Sequence, residues 1–191
     1  MSPHVKARLR IAILLVVVTV VQTALGNDLR LLRVAPDLLV LVSVSAGLAG
    51  GAEAGALVGF FSGLLMDLFL TSTPLGLSAL TYCITGAVVG WLRSSVLPER
   101  NLVIPVAALF GTAGAVLMFV GFGDVLGQHH LLEAGRAWLL RVIVVESAWN
   151  LVLSFPLAWL YSRLARGSVG SDRLGMTIAL PRSRERVLGV R

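Results

Sequence analysis

Between Ile11 and Leu25, and again between Leu102 and Gly123, the chain carries no charged side chain. A helix needs about 20 apolar residues to cross the ~30 Å hydrocarbon core of a bilayer, and both runs approach that length. Further apolar stretches fill most of the sequence between them. Of the 191 residues, 57% are hydrophobic and 14% charged, and the mean hydropathy is +0.88. A soluble domain of this size has too much surface for its volume to hide so much apolar area. Lipid is therefore the solvent for most of the chain.

Six apolar segments can be drawn, at 9–26, 36–51, 54–71, 75–92, 102–122 and 137–161. They predict an all-α integral membrane protein folded as a compact six-helix bundle. The first segment follows His4, Lys6, Arg8 and Arg10, like the charged start of a signal peptide, and Ala24-Leu25-Gly26 is a weak cleavage-like site. The apolar segments that follow favour an uncleaved first span. Residues 36–71 read as one helix would be about 54 Å long at 1.5 Å per residue. Two short spans turning near Gly50-Gly51-Ala52-Glu53 fit better, with a shallow re-entrant hairpin as the alternative. Pro36 suits the first turn of the second span, and Asp37 beside it favours the positive end of the helix dipole. Thr71-Ser72-Thr73-Pro74 separates the third span from the fourth. After Tyr161 the pattern gives way to an arginine-rich stretch, and residues 162–191 are predicted to be a disordered tail.

The charge distribution orients the spans. Net charge is +6, and fifteen of the sixteen basic residues are arginine. Six crossings place twelve of them, in 1–10, at Arg93 and Arg100 and from Arg163 onward, on the side of both termini. Only Arg30, Arg33 and Arg136 fall on the other side. Basic residues accumulate in the cytoplasm, so both ends are predicted to be cytoplasmic. Anionic headgroups account for the basic balance without nucleic acid.

The segment GLAGGAEAGALVGFFSGLLMD places Gly47, Gly51, Gly55, Gly59 and Gly63 four residues apart. Glycine costs a helix about 1 kcal/mol relative to alanine. On a helix such a row forms a smooth strip where backbones can approach closely, which matters when packing must replace the hydrophobic drive. Two uses are open: close packing within the bundle, or a groove for a partner's helix. Asp67 closes the row. A buried carboxylate needs donors, and the candidates are Thr71, Ser72, Thr73, Tyr82 and the free amides of the helix that begins after Pro74. In the last span Glu146, Asn150 and Ser154 share a face that must meet protein or a wet cavity. Arg141 either snorkels outward or pairs with Glu146 or Asp124, and Pro156 should bend this helix. The face supports either an internal hydrogen-bonded network or a transport or proton site.

Motifs for catalysis are missing from the sequence. There is no HExxH and no GxxxxGK. Gly59-Phe60-Phe61-Ser62-Gly63 lacks the spacing of an intramembrane serine protease. His129-His130 are adjacent, and neighbouring side chains point apart. One cysteine, Cys83, excludes a disulfide within the chain and a cysteine zinc site. No enzyme, cofactor or metal is expected.

Pro36-Asp37-Leu38-Leu39, Gly55-Ala56-Leu57-Val58-Gly59-Phe60, Gly63-Leu64-Leu65-Met66-Asp67 and Thr73-Pro74-Leu75-Gly76-Leu77-Ser78-Ala79-Leu80 occur in that order. Together they resemble the rod-shape-determining MreD family across residues 36–92. The resemblance implies a non-enzymatic inner-membrane component of the bacterial elongation machinery. It implies MreC as direct partner, and through the complex MreB filaments and the glycosyltransferase–transpeptidase pair that builds lateral peptidoglycan. It implies structural roles for Pro36, Asp37, Asp67, Pro74 and Gly76. The family is distantly similar to the six-helix substrate-binding subunits of energy-coupling-factor vitamin transporters, so a vitamin-binding subunit is the rival function. That rival expects an AxxxA face on the first helix, and residues 9–26 have none. A proton-coupled transporter using Glu146 and Asp67 would call for an internal repeat, and none is evident.

Overall fold

The computed structural model describes residues 3–25, 34–69, 74–95, 100–128 and 135–165. These residues form six helices: α1 (Pro3–Leu25), α2 (Leu38–Gly50), α3 (Ala52–Phe69), α4 (Leu77–Ser95), α5 (Arg100–Val125) and α6 (Arg136–Leu164). Four of them, α1, α3, α5 and α6, are long and apolar enough to cross a membrane, while α2 and α4 carry shorter apolar stretches. The 13 residues of α2 span only about 20 Å at 1.5 Å per residue.

Several boundaries differ from those drawn on hydropathy. Helix α1 begins earlier, because Lys6, Arg8 and Arg10 are good helix formers and continue it beyond the apolar run. Pro36 lies outside α2 rather than in its first turn; Asp37 is the N-cap, and its side chain accepts from Leu39 N and Val40 N. The α2–α3 turn is a single residue, Gly51, at φ +85°. That left-handed conformation suits glycine, and it lets Glu53 sit in the exposed first turn of α3. Gly76, at φ +100°, delays the start of α4 to Leu77. Helix α6 continues through Pro156 to Leu164, so 162–164 belong to the helix rather than to the tail. Residues 166–191, His129-His130, Arg30, Arg33 and Thr71-Ser72-Thr73 lie outside the described residues.

The short helix is the centre of the bundle. Every residue of α2 from Leu39 to Leu48 is buried, as expected of a helix that is apolar on all sides. It packs against each of the other five helices. Lipid-compatible side chains face outward instead: Ile13, Val16 and Val20 on α1, Phe61 on α3, Phe110 on α5 and Val144 on α6 are more than half exposed.

Candidate functional site

Two constructions hold the centre together. The first is a glycine seam. A Cβ on Gly63 would lie 2.5 Å from Ala79 Cα; on Gly59, 2.6 Å from the Tyr82 carbonyl carbon; on Gly55, 2.5 Å from the Gly86 carbonyl carbon. The approach is mutual, since a Cβ on Gly86 would lie 2.7 Å from the Gly55 carbonyl carbon. On α2, a Cβ on Gly47 would lie 3.0 Å from Gly90 N. Every one of these neighbours is backbone. The strip formed by Gly47, Gly55, Gly59 and Gly63 is therefore filled by α4 of the same chain; Gly51, in the turn, has open space where its own Cβ would lie, but its backbone meets Gly90 of α4. The hydropathy reading missed Gly86 and Gly90, although their four-residue spacing was visible in the sequence.

Asp67 ends the seam. It is 4% exposed and accepts from Gly76 N at 2.8 Å, Ser78 N at 3.0 Å and Ala79 N at 3.1 Å. A carboxylate on the last turn of α3 thus caps the N-terminus of α4, where unpaired amides and the helix dipole both favour an anion. Pro74 lies just before this cap, its carbonyl accepting from Leu77 N at 3.3 Å. Tyr82, a candidate donor to Asp67, bonds elsewhere.

The second construction is a polar node at the N-terminus of α2. Asp37 Oδ1 accepts from Leu39 N at 3.1 Å, Val40 N at 3.2 Å and Gln22 Nε2 at 3.3 Å, and Oδ2 accepts from the Tyr82 hydroxyl. Gln22 Oε1 accepts from Leu38 N at 2.9 Å and Leu39 N at 3.1 Å, while its amide nitrogen approaches Met66 Sδ at 3.5 Å. Asn150 Nδ2 donates to the Asp37 carbonyl at 3.2 Å and to Thr112 Oγ1 at 2.9 Å. Residues of all six helices meet here. Asn150 is 14 residues from either end of α6, whereas Gln22, Asp37 and Met66 lie at or near the ends of α1, α2 and α3, so the node joins the middle of α6 to the ends of three other helices.

The remaining face residues behave differently. Ser154 Oγ donates back to Leu151 O at 2.7 Å. Glu146 is buried, 9% exposed. Arg141 is exposed and makes no ion pair with Glu146 among the described residues; it turns away from the buried face. Gln22, Tyr82 and Thr112 were not foreseen as members of the node. Gln22 was the legible one, as the only amide inside an otherwise uncharged run.

The family model for the rod shape-determining protein MreD matches residues 5–164. The chain belongs to the MreD family. No curated protein and no solved structure matches it. The match to MreD runs from the first turns of α1 to the last residue of α6, so seam, cap and node all lie inside it. It places the chain among membrane-associated, shape-determining structural proteins rather than in a known enzyme family. Among the described residues no group of three or more His, Cys, Asp or Glu is placed to hold a metal.

Proposed function

We propose that this chain is a non-enzymatic scaffold of the elongation machinery in the inner membrane. It crosses the bilayer six times with both termini cytoplasmic, binds MreC, and helps couple MreB filaments to lateral peptidoglycan synthesis. Its bundle is of the kind found in energy-coupling-factor substrate-binding subunits. The match to the MreD family over residues 5–164 carries this reading. The arginine-rich stretch beyond α6 adds attraction to anionic lipid, about 1 kcal/mol for each arginine near the surface.

Because α4 fills the glycine strip, a partner helix must dock elsewhere. An apolar cleft of about 190 Å³ opens between α4 and α5, with Val88, Leu92, Val106, Phe110 and Met118 in its walls. Gly114 lines it, and a Cβ there would meet nothing within 4 Å. Small residues of this kind admit a neighbouring helix. Thr85 is the single polar side chain in the lining, whereas a vitamin site needs several placed polar groups and usually 300 Å³ or more.

The test is co-purification with MreC. Wild-type protein should retain MreC, and Gly114→Leu should lower the yield of complex without lowering thermal stability. Undiminished recovery with Gly114→Leu would remove the cleft as the dock. Failure of the wild type to retain MreC would remove the scaffold reading.

A further inference from the structure

The cleft between α4 and α5 is long, narrow and apolar. Its lining on α5 runs from Val106 to Met118, about 18 Å at 1.5 Å per residue. That is close to the ~15 Å half-thickness of a bilayer's hydrocarbon core. A volume of about 190 Å³ over such a length suits a single file of methylenes; a helix about 10 Å across could lay only its side chains there. Nothing in the walls asks for a polar ligand. Thr85 Oγ1 donates to Thr81 O at 2.8 Å, and none of the unpartnered buried polar atoms among the described residues lines the cleft. What fits the cleft itself is therefore hydrocarbon.

Charge marks one end of it. Leu92 and Val106, both in the lining, lie near the end of α4 at Ser95 and the start of α5 at Arg100. On α4, Thr85, Val89 and Arg93 are four residues apart, and residues at that spacing are neighbours on a helix. Arg93 is exposed in the last turn and forms no ion pair among the described residues. Arg100 is fourteen residues before Gly114, close to four full turns, so it shares that register. The acidic residue described at this end, Glu53, is exposed in the first turn of α3, on the seam side of α4 where Gly90 meets Ala52. On the topology proposed above this end is cytoplasmic, and the cytoplasmic leaflet carries the anionic lipids.

We propose that the α4–α5 cleft binds one anionic phospholipid, with an acyl chain lying along Phe110 and Gly114 and the phosphate at the Arg93 end. Arginine suits phosphate because its planar fork can donate two parallel hydrogen bonds. The lipid fills the cleft in a chain that has no partner there, and a partner helix has to displace it; that second step alone rests on reading the cleft as the dock.

The experiment is native mass spectrometry of the purified full-length chain, alone, in mild detergent with equal amounts of phosphatidylglycerol and phosphatidylethanolamine. Phosphatidylglycerol should be the lipid retained, one per chain. Arg93→Gln should lower its retention about fivefold, the equivalent of the ~1 kcal/mol that an arginine adds at an anionic surface. Gly114→Leu, which fills the cleft, should lower it at least as far while leaving the arginines beyond α6 in place. Equal retention of the two lipids by the wild type would overturn the proposal. So would undiminished phosphatidylglycerol on Gly114→Leu, which would put the lipid on the arginine-rich stretch or elsewhere on the surface. If Gly114→Leu does not fold, the exposed Arg93→Gln decides, and unchanged retention there overturns the proposal. Adding MreC should release the lipid; a complex that keeps both would overturn the displacement. Because the first measurements contain no MreC, selective lipid retention by a chain that fails to hold MreC would remove the scaffold reading and leave the lipid site standing.

Discussion

Replacing Gly59 by alanine tests whether the seam is a structural constraint or merely a tolerated sequence pattern. The added methyl would lie 2.6 Å from the Tyr82 carbonyl carbon and 2.9 Å from Cys83 N. Both belong to the backbone of α4, which cannot rotate aside as a side chain can. Helix α4 would have to retreat by several tenths of an ångström over the whole contact, or α3 would have to bend. Overpacking of a filled core costs about 1–3 kcal/mol. Against that, glycine to alanine in a helix returns about 1 kcal/mol of propensity. The net expectation is a loss of roughly 0–2 kcal/mol at Gly59. At Gly114, where a Cβ meets nothing within 4 Å, the same change should yield a gain of up to about 1 kcal/mol. The two substitutions are chemically identical, so the sign difference isolates the contact. Unfolding in detergent, followed by tryptophan fluorescence and run on both variants, reads it directly. If Gly59→Ala proves as stable as Gly114→Ala, the close approach of α3 and α4 is not what those glycines are for. Gly59→Leu should then widen the gap, because a larger side chain must displace Tyr82, the residue that holds Asp37.

Asp67→Ala should destabilise by about 2–3 kcal/mol, since three amides at the start of α4 lose a charged acceptor; Asp67→Asn should cost less, and equal losses by chemical unfolding would count against the cap. Tyr82→Phe deletes one donor to Asp37 and should cost about 1–3 kcal/mol by the same measurement, with no loss meaning that the contact carries no weight. Gln22→Leu leaves the Leu38 and Leu39 amides without this acceptor and should raise hydrogen exchange at the start of α2 while sparing α3; unchanged exchange would refute its role as a second cap. Reporter fusions at the two ends should both read cytoplasmic, and opposite readings would rule out six crossings.

The sequence made the helices legible wherever one physical signal dominated. Hydropathy located α1, α3, α5 and α6, and the four-residue glycine spacing marked the strip on α3. Hydropathy could not locate the start of α2. Apolar content says where a helix is comfortable, whereas Asp37 ends it by offering its carboxylate to Leu39 N and Val40 N. The same limit applies to α4, whose first turn is set by an acceptor ten residues upstream of it, Asp67. The partner of the strip was equally hidden. A smooth face announces close approach but not what approaches, and only the fold shows Gly55 meeting Gly86. The node was hardest to read, because Gln22, Asp37, Tyr82, Thr112 and Asn150 are scattered over most of the chain and no local pattern unites them.

These contacts divide the bundle by stiffness. Helices α2, α3 and α4 are joined backbone to backbone, from Gly63 against Ser78 and Ala79 at one end to Gly90 against Gly51 and Ala52 at the other. Sliding within that unit would drive backbone into backbone, since no side chains lie between to yield. Helices α5 and α6 pack on each other and meet the welded unit by different means. Asn150 donates to the Asp37 carbonyl at the N-terminus of α2 and, within the pair, to Thr112, while the cleft, with Leu48 in its lining, opens toward the other end. Membrane hydrogen bonds of this sort average about 0.6 kcal/mol each, far less than the cost of parting a packed backbone seam. If anything in this fold moves when a partner occupies the cleft, it is therefore the α5–α6 pair turning about the node. The prediction is specific: a disulfide between cysteines introduced at Leu48 and Ala107, which both line the cleft, should suppress MreC retention, and reduction should restore it. Retention unaffected by that crosslink would mean that the partner does not need the cleft to open.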